Sequence, residues 1–192
     1  MLTQALIFIL ESVVNLFVLV VLMRFLLQLS RAPYKHPLSQ FVNAMTNFAV
    51  LPLRRIVPGF MGLDFASLLV AWLAELLLLF AVGALQGFPF VAAGASGAAL
   101  FLLLALLRVA RFIVYIYIGV ILIQAILSWV NPHNPLTPLL DSMSRPILRP
   151  IQRRMPLVGG VDLSPLVALL LLQLILILPL AWLERQLGLG FL

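Results

Sequence analysis

Five polar side chains stand inside long apolar stretches of the sequence, where a charged group is costly and therefore often functional. They are Glu11, Arg24, Glu75, Arg111 and Gln124. Glu75 is the strongest candidate for chemistry, because a carboxylate inside a membrane-spanning helix can bind a proton or a cation. The alternative is that Glu75 only holds helices together, as a protonated or hydrogen-bonded acid. We favour this alternative, because we expect no second carboxylate at the same depth.

Pairing between opposite charges is another role that the spacing suggests. A shift of 100 residues aligns Glu11 with Arg111, so that the two side chains occupy corresponding positions of two apolar helices. Corresponding positions in parallel repeats lie at the same depth in a membrane. We therefore hypothesise that Glu11 or Glu75 pairs with Arg111.

The composition is that of an integral membrane protein. Mean hydropathy is +1.20 and only 9% of the residues are charged, whereas about a quarter are charged in soluble proteins. Several apolar runs exceed the length of about 18 residues that marks a membrane-spanning helix.

No enzymatic chemistry is indicated by the sequence. The chain has no cysteine, which excludes disulfides, thiolate metal sites and cysteine nucleophiles. HExxH, P-loop and GxSxG patterns do not occur, and His36 and His133 fall out of register when the two basic loops are aligned. We therefore expect no catalytic residue, no metal site and no cofactor.

Four apolar segments are predicted to span the membrane, at about residues 2–29, 65–85, 105–130 and 163–183. Eight of the twelve lysines and arginines lie in two loops, at 30–63 and 131–162. With four spans these loops share one side, which the positive-inside tendency makes cytoplasmic. Both termini are then expected on the outside.

The two halves of the sequence resemble each other. With a shift of 98 residues, the segment 37–69 aligns without gaps and nine positions are identical, among them Asp64 with Asp162 and Arg55 with Arg153. Matched arginines, aspartates and prolines in a charged loop are not explained by apolar composition. The sequence therefore contains an internal repeat.

The fold class that follows is an all-α polytopic membrane protein with four transmembrane helices. We predict two parallel two-helix repeats, at 1–88 and 100–187, joined by a short apolar connection at 89–99. Because each repeat has two spans, both copies insert the same way round, related by an axis along the membrane normal.

Each basic loop is predicted to carry a short amphipathic helix at the membrane interface. Its apolar residues recur at intervals of three and four, which places them on one helix face. They are Leu38, Phe41, Val42 and Met45 in the first loop and Leu136, Leu139, Leu140 and Met143 in the second. The polar residues between them are expected to face water, and Pro146 and Pro150 are expected to end the second helix.

The arginines at the ends of these helices are predicted to contact anionic lipid headgroups, each worth about 1 kcal/mol near such a surface. They are Arg54, Arg55, Arg145, Arg149, Arg153 and Arg154. Docking of a membrane-protein partner, or self-association, is the alternative role. Direct binding of nucleic acid is not expected, because the basic loops are short and interrupted by proline.

Both loops end in a motif that is typical of a helix start. The motif residues are Gly62 and Asp64 in the first loop and Gly160, Asp162, Ser164 and Pro165 in the second. Glycine gives the backbone freedom for the turn. The aspartate is placed to cap the free N–H groups of the next helix, and Pro165 suits its first turn.

Residues 126–172 contain a set of motifs that resembles the YggT family, also called YlmG-like. These motifs are Ser128–Trp129, Asn131–Pro132, Asn134–Pro135, Arg145–Pro146, Pro150, Arg153–Arg154, Pro156 and Gly160-Val-Asp-Leu-Ser-Pro165. The first half is a weaker match, which keeps Arg24, Pro52, Arg54–Arg55, Pro58 and Gly62-Leu-Asp64. The arginine that usually precedes Leu-Ser-Trp in the family is Gln124 here.

The resemblance implies a small protein of the bacterial inner membrane in the two-copy form. Relatives in that family are linked to cell division or nucleoid distribution, to cytochrome assembly in plastids, and to osmotic or potassium tolerance. We therefore favour a non-enzymatic accessory or scaffold protein. The alternative is a small ion-transport or osmotic-homeostasis component that uses Glu75.

Overall fold

The structure, a computed structural model, describes residues 1–33, 36–57, 63–131, 134–155 and 162–187. Its α-helices in these ranges are α1 (Leu2–Leu29), α2 (Pro37–Arg54), α3 (Phe65–Leu85), α4 (Phe90–Val130), α5 (Thr137–Gln152), α6 (Ser164–Ile175) and α7 (Ala181–Gln186). Four helical segments are long and apolar enough to cross a membrane: Leu2–Leu29, Phe65–Leu85, Gly94–Val130 and Ser164–Gln186. The prediction of a helical chain with four such segments is confirmed.

The third of these segments starts earlier than predicted. Helix α4 begins at Phe90, inside the segment that we expected to be a short connection. Its backbone departs from helical geometry at Gly94, where φ is 54°, a conformation that glycine adopts without a steric penalty. The alanines on both sides of Gly94 favour helix, which explains why the connection is helical and kinked.

The fourth segment is interrupted rather than continuous. A π-helical turn at Leu176–Leu180 joins α6 to α7 and contains Pro179. Proline lacks an N–H donor and its ring clashes with the carbonyl four residues earlier in a regular α-helix. The wider turn accommodates Pro179, so the helical segment continues to Gln186 and not to 183 as expected.

The helices pack as two hairpins with a shared core. Helix α1 packs against α3, α3 also packs against α4, and α4 packs against α6. Each connecting helix lies against both helices of its hairpin, α2 against α1 and α3, and α5 against α4 and α6. The main core contains fully buried Val21, Leu22, Ala71 and Leu139.

Helix α2 buries two polar side chains beside two valines, Val42 and Val50. The buried positions recur every three or four residues and include Ser39 and Thr46, while Phe41, Met45 and Phe48 are exposed. The expectation that the polar side chains of this loop face water is therefore wrong for Ser39 and Thr46. A buried arginine on α1 needs hydrogen-bond acceptors, and α2 supplies them.

Helix α5 continues through its prolines, so the prediction that Pro146 and Pro150 end it is wrong. Their spacing of four residues places both missing N–H donors on one side of the helix. Leu139, Leu140 and Met143 of the same helix are buried in the main core. Tertiary packing therefore holds the helix together across a local interruption of its hydrogen bonds.

An aromatic cluster joins α3 to the start of α4. The rings of Phe80, Phe88, Phe90 and Phe101 have centroids 5.0 to 5.5 Å apart. Gly83 lies beneath them, and a Cβ atom there would be 2.9 Å from Phe90 Cζ and 3.4 Å from Phe101 Cζ. By contrast, nothing lies within 4 Å of a Cβ built at Gly119 of α4.

This contrast predicts opposite effects of one substitution at two helical glycines. Gly119→Ala should raise the free energy of unfolding by up to about 1 kcal/mol, because alanine favours helix. Gly83→Ala should lose that gain and destabilise by about 1–3 kcal/mol through overpacking against the rings. Unfolding of the purified protein in detergent measures both, and equal effects would contradict the packing assigned to Gly83.

Candidate functional site

Asp64 is the centre of a buried polar cluster at the start of α3. It is the N-cap residue of that helix and is 0% exposed. One carboxylate oxygen accepts from the Ser67 backbone N–H at 3.4 Å, and the other accepts from Ser67 Oγ at 2.8 Å. A buried carboxylate also needs a positive partner, and two helices that precede Asp64 in the chain provide one each.

Arg24 of α1 is the more buried of these partners, with 6% exposure. Its Nε lies 3.5 Å from Asp64 Oδ2. Its Nη1 donates to Thr46 Oγ1 and to Asn47 Oδ1, both at 2.9 Å. The guanidinium thus joins α1 to α2 and to the start of α3.

Arg54, at the end of α2, contacts Asp64 from the other side. Its Nε lies 3.9 Å from Asp64 Oδ1, and its side chain is 38% exposed. The Gln28 amide lies between them: its oxygen accepts from Arg54 Nη2 at 3.3 Å, and its nitrogen, in the orientation that satisfies both neighbours, donates to Asp64 Oδ2 at 3.3 Å. We call Arg24, Gln28, Thr46, Asn47, Arg54, Asp64 and Ser67 the Asp64 cluster.

The aligned position in the other half, Asp162, has a different environment. It is exposed and accepts from the Ser164 backbone N–H at 2.8 Å and from Gln152 Nε2 at 2.9 Å. Slight burial raises the pKa of Asp162, but the hydrogen bonds from Ser164 and Gln152 lower it by more. The net result is a pKa below the usual value of an aspartate. Ionised Asp162 therefore stabilises the folded protein at neutral pH, and this stabilisation is lost as the pH falls through the lowered pKa.

The residues that pair with Asp64 are replaced around Asp162. Gln124 stands where Arg24 would align, and Gln152 stands where Arg54 would align. The Gln124 Oε1 atom is buried and has no hydrogen-bond partner in the described part of the chain. A cavity of about 610 Å³ between α4, α5 and α6 is lined by Gln124, Trp129 and Asp162 among others.

Glu75 is fully buried on α3, and its nearest cation is Arg108 of α4. Arg108 Nη1 lies 3.9 Å from Glu75 Oε2, and neither carboxylate oxygen has a hydrogen-bond partner among the described residues. Glu11 of α1 is close enough to act electrostatically on Glu75. That no second carboxylate lies at the same depth as Glu75 stays a prediction.

Arg111 pairs with a residue that sequence reasoning missed. Its Nη2 lies 2.5 Å from Glu184 Oε2 on α7. The hypothesis that Glu11 or Glu75 pairs with Arg111 is wrong, because α4 packs between α3 and α6 and so turns Arg108 and Arg111 toward different helices. Arg108 precedes Arg111 by three residues, so the two arginines are neighbours on the surface of α4. Two arginines at this spacing inside an apolar segment are a signal that each needs an acidic partner on another helix.

The remaining predicted residues lie at or near the ends of the loop helices. Arg55, Arg149, Arg153 and Arg154 are exposed. Arg145 donates to Asp141 on the preceding turn at 3.1 Å. Ser164 and Pro165 belong to the first turn of α6. Other residues considered in the sequence lie outside the described residues, namely Pro58, Gly62, His133, Pro156 and Gly160. Within the described ranges, no three His, Cys, Asp or Glu side chains are grouped to hold a metal ion.

Four helical segments able to span a membrane, joined by buried or half-buried ion pairs, define an α-helical membrane protein of the polytopic class. The chain belongs to the CCB3/YggT family, whose profile matches residues 3–85 and 103–183.

The relatives cover most of the chain. Uncharacterized protein PA0392 of Pseudomonas aeruginosa is 39% identical over 91% of this chain and 87% of its own length. Uncharacterized protein YggT of Escherichia coli is 34% identical over 88% of this chain and 85% of its own. An uncharacterized protein in the proC 3'region of Vibrio alginolyticus is also 34% identical, over 86% of this chain and 88% of its own length. No solved structure matches the chain significantly.

The two aspartates predict a sharp difference between aligned substitutions. Asp64→Asn keeps a good N-cap residue but leaves Arg24 buried without its counter-charge, which should destabilise by about 3–5 kcal/mol. Asp162→Asn should change stability little, because its partners are neutral and the group is exposed. Detergent unfolding curves of the two variants measure this, and a loss for Asp64→Asn as small as that for Asp162→Asn would show that the charge of Asp64 is not essential.

Proposed function

We propose that this protein is a non-enzymatic accessory or scaffold protein of the bacterial inner membrane, acting in cell division or in the assembly of membrane complexes. The observation that carries the proposal is the use of charges within and beside the spans. Arg24 pairs with Asp64, Arg108 with Glu75 and Arg111 with Glu184. Pairs of this kind hold helices in register.

The outward surfaces support the same proposal. Helix α6 exposes Leu166, Leu170 and Leu174, and α2 exposes Phe41 and Phe48. In a bilayer, such side chains contact lipid or another membrane protein. We infer that α2 and α5 lie at the interface as amphipathic helices.

Exposed arginines add a charged surface to these apolar ones. Arg149, Arg153 and Arg154 are exposed around the end of α5, where guanidinium groups attract anionic headgroups. We infer that these arginines contact anionic lipid and a membrane-protein partner or a second copy of the chain. Matches of the family profile to both 3–85 and 103–183 support the two-repeat organisation that this arrangement assumes.

A role in ion transport or osmotic homeostasis is the second candidate function, and one observation favours it. Glu75 is fully buried, yet its contact with Arg108 is long, at 3.9 Å, and its oxygens accept no hydrogen bond from the described residues. Glu11 adds a further negative charge nearby. A weakly held carboxylate of this kind can exchange a proton or a cation.

Reconstitution in liposomes separates the two functions. If the scaffold proposal holds, the wild-type protein and Glu75→Gln should both give potassium and proton fluxes equal to those of empty liposomes. Flux in the wild type that disappears in Glu75→Gln would establish the transport function instead. Glu184→Gln is the matched control, because it removes a paired carboxylate on a different helix.

The same variants can be compared in cells that lack the native gene. The scaffold proposal requires Glu75→Gln to restore growth, while combined substitution of Arg149, Arg153 and Arg154 by Gln should not. The opposite pattern would contradict it.

We further infer that the basic loops are cytoplasmic and that the α3–α4 turn faces outward, following the positive-inside tendency. The absence of cysteine from the sequence makes this directly testable. In cells whose outer membrane alone is permeable, a membrane-impermeant maleimide should label Gln86→Cys. Arg153→Cys should be labelled only after the inner membrane is opened. Reversed labelling would invert the assigned orientation.

A further inference from the structure

A polar cavity lies between α1 and α2 beside the Asp64 cluster. Its volume is about 510 Å³, within the range of small-ligand pockets. Three arginines line it, Arg24 and Arg31 from the α1 side and Arg54 from the end of α2. The side chains of Asn43 and Asn47 add amide groups to the wall.

The charge around this cavity is positive. Asp64 contacts Arg24 and Arg54 and balances one guanidinium charge, so that the three arginines retain a surplus. Thr46 and Asn47 hold Arg24 in place. Less side-chain entropy is therefore lost when an anion binds. Guanidinium groups match the geometry of phosphate oxygens.

Arg31 lies in an unusual backbone conformation at the edge of the cavity. Its φ is 51°, the only positive φ of a non-glycine residue in the described ranges. Helix α1 ends there with the Arg31 N–H donating to Gln28 O and the Ala32 N–H donating to Leu27 O. Glycine is the usual residue at this position of such a helix end.

An arginine at that position is strained, at a cost that glycine avoids. Strained residues cluster at functional sites such as ligand clamps. Arg31 lines the cavity, so a role in binding accounts for a residue that helix termination alone does not favour.

We propose that this cavity binds a phosphate group, carried either by an anionic lipid headgroup or by a soluble phosphate compound. Arg31 is the exposed arginine of the lining, and Arg24 is the buried cation that Thr46 and Asn47 hold. Arg54 contributes from the end of α2. The exposed Phe41 and Phe48 on α2 would lie beside the acyl chains if the phosphate belongs to a lipid.

The decisive variant is Arg31→Gly, because it removes the guanidinium and also relieves the backbone strain. The unliganded variant should unfold at the same temperature as the wild type or a higher one. Its affinity for the phosphate group should fall roughly tenfold or more, as expected for loss of one charge-assisted contact. Arg31→Gln removes the charge and keeps a side chain. Arg185→Gln, which removes an exposed arginine of α7 outside both basic loops, is the matched control.

Binding to the purified full chain in non-ionic detergent is measured with short-chain phosphatidylglycerol, short-chain phosphatidylcholine and inorganic phosphate. Weakening by both Arg31 variants, but not by Arg185→Gln, supports the site. Preference for phosphatidylglycerol assigns it to a lipid, and binding of inorganic phosphate alone assigns it to a soluble compound. The proposal is overturned if none of the three binds, or if Arg185→Gln weakens binding as much as Arg31→Gly.

Discussion

A carboxylate without any exposure to solvent, at the start of a membrane-spanning helix, is the constraint around which the first half of the protein is arranged. Asp64 caps α3, and its burial is tolerable only with positive partners and hydrogen bonds on both oxygens. Arg24 and Arg54 supply the charge, which fixes the end of α2 against α1 and α3. The same requirement explains why Thr46 of α2 is buried beside Val42 and Val50 while Phe48 is exposed.

In the second half, α5 contacts α4 and α6 as α2 contacts α1 and α3 in the first, but neutral side chains replace the charged partners of the aspartate. Asp162 is held by neutral groups, and Gln124 stands in the aligned place of Arg24. Cohesion there comes from apolar contacts among Ile121, Leu148, Ala168 and Leu172. Such packing is less directional than a buried charge network, which is consistent with the larger cavity beside Asp162. The two halves therefore solve the same packing problem with different interactions.

Features encoded within a short segment were predictable, whereas features that depend on helix neighbours were not. The four long apolar segments follow from their length and composition, and the place of Asp64 before α3 follows from capping chemistry. The partners of Glu75 and Arg111 depend on which helices α4 contacts, and an alignment of the two halves carries no information on that. The inward side of α2 was equally hidden, because Thr46 suits water and a buried arginine alike.

The distribution of charge links this architecture to recognition at the loops. Arg24, Glu75, Arg108, Arg111 and Glu184 are engaged between helices, so the surfaces of the spans that face outward are mainly apolar. An apolar surface distinguishes poorly between lipid and partner helices, because lipid tails are as apolar as leucine. Charges remain exposed at the loops, among them Arg31 and Arg55 in the first half and Arg149, Arg153 and Arg154 around the end of α5 in the second, and only such groups can add chemical selectivity to an apolar surface. These positions lie at the ends of α1, α2 and α5, the segments that the buried charges and the core hold in place.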